Sequence, residues 1–419
     1  MRKAFICALA LLMTAGILAL AFFEKNAAQA QQQRAGGKKE FSSKSKDFAE
    51  GTATPSAECG ECHQAIYREY VFGFGSDNIR KRSAYKDPKQ KLRSIPARLL
   101  TAGSAHSIAG NDLPPGTEGK SCNTCHNPES FDLPDLDEPE IEPPKARPQG
   151  KESFGITCAG CHLTPDGRIR GPCRAEAPHE TVEEPNMKTA AMCARCHLEG
   201  KRVVGKRVQT FLEWRDDFHK PGLGSQQCQD CHMPGTLRRL TENEDVPIRA
   251  VARHLWTDGR YPQRLSGALS LVVEAEKEST SALNFHVINI GAGHSVPTGS
   301  NRRAIFLKAE VVDPKQTVVA MREWMFAPWY DDRPDDKSFL EEDKKRPDSA
   351  AAIQADAQGP HETIIRAGEE RILTWDPRLK PGEYEVRTSL IFDLNRYNDP
   401  KFRGDQRTIF KTSLAYRVR

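Results

Sequence analysis

Apolar side chains are scarce in this chain: hydrophobic residues fill 38% of its 419 positions and aromatics only 7%, and the mean hydropathy is −0.63. A chain of this length has room for two domains or more. Its apolar content is low for offsetting the entropy of folding by side-chain burial alone. Something other than side chains is therefore expected to fill part of the interior. An excess of charge of either sign is also missing, since 61 Lys and Arg stand against 57 Asp and Glu; nothing here supports nucleic-acid binding. Cysteine, finally, is absent from the whole stretch beyond Leu265.

What is present upstream is a cysteine pattern. Ten of the 12 cysteines occur in five pentapeptides of one form. These are CGECH (Cys59, Cys62, His63), CNTCH (Cys122, Cys125, His126), CAGCH (Cys158, Cys161, His162), CARCH (Cys193, Cys196, His197) and CQDCH (Cys228, Cys231, His232). Zinc would use paired C-x-x-C units in closed four-ligand sites and would not require a histidine after every pair. A thioredoxin-like redox site needs one such motif in a βαβ setting. Disulfides leave the histidines unexplained. Haem attachment accounts for all three residues: two sulfurs one helical turn apart reach the two vinyl edges of one porphyrin, and the adjacent histidine ligates iron. Five covalent haems c, each with its iron, are thus expected, and their flat apolar bodies would supply the missing interior.

Each iron needs a sixth ligand, and seven histidines lie outside the motifs: His106, His179, His219, His254, His286, His294 and His361. His219 ends TFLEWRDDFHK, where Phe211, Trp214 and Phe218 recur at helical spacing before Pro221. His254 lies in DVPIRAVARHLW, which reads as a helix capped at Asp245 with Ile248, Val251 and Leu255 on one stripe. Each is either an ordinary surface or core histidine or an iron ligand, and five irons seeking partners favour the ligand. His294 sits in GAGHSVPTGSNRR, where Gly291 and Gly293 would let backbone approach a flat macrocycle. His286 alternates with Leu283, Phe285 and Val287 and reads as a plain strand histidine; His361 has no supporting context. Met233 is fixed beside His232 and is a poor candidate for the opposite face of the same haem. Cys173 is left without a companion.

The chain reads as four segments. Residues 1–30 carry a basic start, an apolar run from Ala4 to Phe23, and Ala28 and Ala30 flanking Gln29, the form of a secretory signal. An uncleaved anchor is the rival reading. Export to the periplasm or the extracellular side follows from either, with membrane attachment if the anchor is kept. Residues 31–50 are a basic, polar tether. Residues 51–262 form the haem domain, interrupted by the acidic, proline-rich FDLPDLDEPEIEPP, read as a solvated or partner-docking loop. In residues 263–419 alternating runs such as ALSLVVEAE, LNFHVINI, AIFLKAEVV, RILTW, GEYEVRTSLIF and FKTSLAYRV are separated by Gly/Pro turns. The expected fold is a mainly α and loop domain organised around five haems, followed by an all-β antiparallel sandwich. Trp324, Trp329 and Trp375 are taken as its core or rim aromatics. Loss of the signal lowers the net charge from +4 to +2, and five ferric haems at roughly −1 each bring the loaded protein to roughly −3.

In the order and setting of these segments the chain resembles multihaem cytochromes of the cytochrome c-554 type, related to the hydroxylamine oxidoreductase group. The likeness is carried by SAECGECHQAIYREY, GITCAGCHLTPDGRIRGP with APHE after it, CHMP at the last motif, and GAGHSVPTG. It implies that His179 in APHE, His106 in GSAHS and His294 in GAGH act as distal ligands, completing with His219 and His254 a proposed set of five. Pentahaem nitrite reductases are similar in haem number only, because their catalytic motif ends in lysine and all five motifs here end in histidine. The tyrosine that crosslinks the catalytic haem of hydroxylamine oxidoreductases has no identifiable counterpart, so no catalytic residue is assigned. The expectation is an electron carrier whose partners are redox proteins or a quinol-linked membrane complex. Two rivals stand beside it: an oxidoreductase with one open haem acting on nitrite, nitric oxide or hydroxylamine, and a subunit of an extracellular cytochrome filament.

Overall fold

Where the cysteine motifs are described, each is or adjoins a single short helix. In the computed structural model, Cys158–His162 and Cys228–His232 are helices made of the motif alone, and the helix Ala191–His197 ends on one. The first motif runs from the end of the helix Ser56–Gly60 into the turn before the helix Gln64–Phe72. The structure describes residues 56–72, 106, 124–125, 128, 131–137, 141–142, 144–145, 156–198, 209–259, 262–276, 281–299, 303–328, 364–394 and 406–418. The expected signal and tether, Cys122, His126, Trp329 and His361 lie outside them. The described residues belong to one compact unit, Asp47–Arg419.

Helices this short do not persist in water by themselves, and hydrogen bonds from their neighbours hold them here. Gln227, before the last motif, accepts the Ala190 N–H at 2.8 Å, and Gln229 within that motif donates to the carbonyls of Met187 and Thr189 at 2.9 and 2.6 Å. The fourth and fifth motifs are thereby tied together. Arg195 donates to the carbonyls of Asp132 at 2.6 Å and Glu142 at 3.0 Å, fastening the acidic loop along the fourth motif. Phe131, Pro134, Ile141 and Pro144 of that loop point inward while Asp132, Asp135, Asp137 and Glu142 are exposed, so it is a packed segment with one charged face.

This part of the chain is less helical than expected. Between the helices lie a parallel pair, β1 (Ile169–Gly171) with β2 (Thr181–Glu183), and an antiparallel pair, β3 (Gly235–Arg238) with β4 (Arg249–Ala252). The helix expected over residues 245–256 is replaced by β4 and the turn after it. The stripe Ile248, Val251 and Leu255 has no common surface to cover; Ile248 is 59% exposed while Leu255 is buried. Pairing with β3 satisfies the backbone instead.

From Leu269 onward two antiparallel sheets form. One has the order β5 (Leu269–Ala275), β6 (Leu283–Asn289), β9 (Glu370–Trp375); the other has β11 (Gln406–Val418), β10 (Gly382–Asp393), β7 (Ala304–Val312), β8 (Val318–Phe326). Leu283, Phe285 and Val287 of β6 are fully buried, and His286 stands on the opposite face beside Glu370 at 2.7 Å. The sheets share one core, in which Phe285 meets Trp324 with ring centres 5.1 Å apart and Trp324 meets Trp375 at 6.2 Å. Strand β8, absent from the runs picked out by alternation, pairs through only one edge among the described residues and exposes Val318, Val319 and Met321. No helix among the described residues is long and apolar enough to cross a membrane.

Trp324, 2% exposed, bridges the two sheets. Its replacement by alanine is expected to destabilise the protein by about 3–5 kcal/mol, read as a lowered midpoint in denaturant melts followed by far-ultraviolet circular dichroism in the strand region.

Candidate functional site

Each described motif histidine faces a histidine from a distant part of the chain. The ring centres are 6.5 Å apart for His63 and His179, 6.0 Å for His197 and His106, 6.0 Å for His162 and His254, and 6.1 Å for His232 and His294. The last pair is nearly parallel, with 17° between planes, yet too far apart for face contact, which falls at about 3.5–4 Å. A metal–imidazole bond is about 2 Å long and the ring centre lies roughly 1 Å beyond the nitrogen. Two imidazoles on one iron therefore have centres about 6 Å apart, the spacing found four times.

The rings also carry their protons on the correct side. Nδ1 lies against a backbone carbonyl in His63 (Leu240, 2.9 Å), His162 (Arg170, 3.0 Å), His254 (Ala252, 3.1 Å) and His294 (Ser295, 2.9 Å), and in His232 against Thr257. A carbonyl only accepts, so Nδ1 holds the proton and Nε2 presents its lone pair. Desolvation lowers the pKa of His254 to about 3 and of His294 to about 4, and also lowers those of His162, His179 and His232. These imidazoles are neutral at physiological pH, the state in which they can bind metal.

His219 closes a helix that changes pitch. After Thr210–Trp214 the chain widens to a π-turn over Arg215–His219, with Lys220 N–H bonded to the Arg215 carbonyl at 2.8 Å. The wider turn brings residues five apart over each other, and the His219 ring stacks on Trp214 at 4.7 Å and 13°. Trp214 is itself fixed by its indole N–H to the Gln226 carbonyl at 2.9 Å. Four of the five proposed distal histidines thus face a motif histidine, and the fifth is held by a tryptophan.

The motif cysteines of neighbouring sites adjoin. The thiol of Cys59 neighbours that of Cys158, Cys193 neighbours Cys228, and Cys196 neighbours Cys125. None of these is in a disulfide. Cys62 is exposed, and Cys161 and Cys231 are half-buried. Cys173 stands apart and exposed, 3.6 Å from Arg249. No group of His, Cys, Asp and Glu among the described residues is arranged to hold a bare metal ion, so the zinc reading gains no support. The donor set present, thiol pairs beside opposed neutral imidazoles, fits haem.

Several supporting residues carried no signal in the sequence. Glu69, 4% exposed, takes Arg238 through two bonds of 2.8 Å, Arg253 at 2.8 Å and the His254 N–H at 3.0 Å. Desolvation alone would raise its pKa; the hydrogen bonds from Arg238 and Arg253 reverse that and hold the carboxyl below its usual range. Glu213 accepts from Ser295 N–H at 3.2 Å and from the Thr298 hydroxyl at 2.7 Å, while Asn289 donates to the His294 carbonyl at 2.9 Å. The loop glycines have a nearer reason than a macrocycle. A Cβ at Gly291 would fall 2.1 Å from the Gly267 carbonyl oxygen, and one at Gly293 would lie 3.0 Å from the Phe218 ring.

No protein-family model matches the chain, and no curated protein matches it. Among solved structures it is similar to a penta-heme cytochrome c552 from Thermochromatium tepidum, with 18% identity and a TM-score of 0.48, covering 87% of this chain and 99% of that one. A beta-glucuronidase from glycoside hydrolase family 2 matches 36% of this chain and 11% of its own, at 13% identity and a TM-score of 0.17.

The angle between two imidazole planes sets the splitting of the iron d orbitals they bond to, so each pair has its own paramagnetic signature. Electron paramagnetic resonance of the oxidised, haem-loaded protein is expected to contain a rhombic low-spin signal from His232 and His294, at 17°. It should also contain a highly anisotropic one from His106 and His197, at 67°. A spectrum holding only one of the two types would contradict this geometry.

Proposed function

We propose that the protein is an exported pentahaem c-type cytochrome that carries electrons between redox partners. The observation that carries this reading is the set of four facing histidine pairs, each made of one motif histidine and one remote histidine at iron-spanning distance. The ligand pairs are His63 with His179, His197 with His106, His162 with His254, and His232 with His294. By elimination His219 completes the site of His126. Each porphyrin is anchored by its motif cysteines, with Cys122 and Cys125 serving the second site.

Haem c supplies reversible one-electron Fe(III)/Fe(II) chemistry when bound. What the chain contributes is ligation that leaves iron no position for a substrate, which separates a carrier from an enzyme. Two neutral imidazoles per site favour lower potentials than a methionine–histidine pair would. The carbonyls of Leu240, Arg170, Ala252, Ser295 and Thr257 hold the rings in the binding tautomer. In this reading the seven C-terminal strands are a β-sandwich whose loop lends His294 to the last haem. Export rests on the signal-like residues 1–30, and a redox protein or a quinol-linked membrane complex is the partner.

The decisive measurement is the spin state of the oxidised holo-protein. Five low-spin irons are expected, with His294→Ala converting one of the five to high spin and leaving the other four in place. An unchanged spectrum in that variant would remove His294 from the ligand set. A stoichiometric high-spin iron in the wild-type protein would replace the carrier by an oxidoreductase with an open site.

A further inference from the structure

The turn after β4 touches three of the paired sites within four residues. His254 faces His162. The indole of Trp256 packs edge-on against the rings of both His106, at 4.7 Å and 60°, and His254, at 5.2 Å and 85°. Thr257, 1% exposed, offers its carbonyl to Nδ1 of His232. We propose that Trp256 is a positioning residue: wedged between two distal ligands, it sets the plane of the His106 imidazole against His197 and that of His254 against His162. The inference rests on the ligand pairing given above.

The backbone supports it. Trp256 has φ +40°, a left-handed conformation that is unfavourable for a bulky residue and persists only where its surroundings over-determine it. Both ends of the turn are pinned. Upstream, Arg253 N–H bonds the Pro234 carbonyl at 3.0 Å, its side chain reaches Glu69 at 2.8 Å, and Glu69 also takes the His254 N–H at 3.0 Å. Downstream, Thr257 N–H bonds the His232 carbonyl at 3.0 Å and its hydroxyl donates to the Cys231 carbonyl at 3.1 Å. Arg264 donates to the same hydroxyl at 2.9 Å. Between these anchors Trp256 takes up the constraint, with its half-buried ring against His106, His254 and Tyr70. Tyr70, edge-on at 5.8 Å, closes the third side.

An axial imidazole turns easily about its bond to iron unless something blocks the ring. The Nδ1 bond to Ala252 restrains His254; the indole adds a wall that His254 and His106 share. Removing that wall changes ligand angles at two sites while leaving the ligands themselves in place.

The test uses the full-length holo-protein in two variants. Trp256→Gly removes the indole and relieves the positive φ, so it is not expected to unfold the turn; Trp256→Phe restores an aromatic wedge. Oxidised samples are compared by electron paramagnetic resonance and by spectroelectrochemical titration. In Trp256→Gly the highly anisotropic signal of the His106/His197 site should be lost, replaced by a broadened or rhombic signal of one-haem intensity. All five irons should stay low-spin, and the rhombic signal of His232/His294 should keep its position. The midpoint potentials of two haems should shift, and Trp256→Phe should return the wild-type spectrum in large part. Trp256→Gly with an unaltered spectrum and five low-spin haems would overturn the inference. So would an equal change at all five sites that phenylalanine does not recover. A wild-type protein lacking low-spin iron would instead overturn the ligand pairing, and this inference with it.

Discussion

Two imidazoles held with their ring centres about 6 Å apart are the constraint on which this molecule depends. Rings at that spacing are too far apart to gain dispersion from each other, so their mutual contact does not hold them there. In the proposed reading an iron bonded to both would make each pair a crosslink between distant parts of the chain. Cross-links of this kind act partly by shrinking the unfolded ensemble, and a haem body would add apolar contact. The short motif helices, none of which would persist alone, are in effect brackets for that crosslink.

Each region has an apolar cluster of its own among the described residues. Among the described residues the strand-rich region holds a cluster of twenty buried hydrophobic residues, including Phe285, Trp324 and Leu390. The motif-bearing region holds a cluster of seven, around Phe211, Leu212 and Trp214. The first is an ordinary protein interior, and the second surrounds the helix that leads to His219. The two regions meet where the chemistry is. The buried carboxylate of Glu213, next to Trp214, accepts from Ser295 and Thr298 on either side of the loop that leads from His294, so a strand-region loop is locked to a helix of the motif region.

How much of this was legible in the sequence follows from which interactions are local. The cysteine motifs were legible because covalent attachment dictates residue type and spacing within five positions, whatever the surrounding fold. Strand β6 was legible because one face is buried and alternation survives, and β7 because it is a continuous apolar run buried on both faces. Strand β8 was not, since at the sheet edge Val318, Val319 and Met321 are all exposed and the pattern dissolves. The histidine pairings were invisible because nothing local encodes which remote ring shares an iron. The segment before His254 misled for a related reason. Its apolar spacing fits a helix, but the partners that decide its conformation, Glu69 and β3, lie elsewhere in the chain. Gly291 and Gly293 were recognised as required for close approach, but a carbonyl and a phenylalanine ring are what approach them.

The order of the motifs along the chain is not their order in space. Cys59 meets Cys158, so the first site adjoins the third; Cys196 meets Cys125 and Cys193 meets Cys228, so the fourth adjoins both the second and the fifth. The indole of Trp256 lies against both His254 and His106, which joins the third site to the fourth in the proposed pairing. The sites therefore form a branched set with the fourth at the fork, next to three others. In the carrier reading an electron entering at any end reaches the other ends through that fork. The turn built around Trp256 touches the third, fourth and fifth sites, so the most constrained stretch of backbone lies at the junction of the paths. Strain persists there because hydrogen bonds on both sides of the turn fix its ends, through Arg253 and His254 upstream and Thr257 downstream.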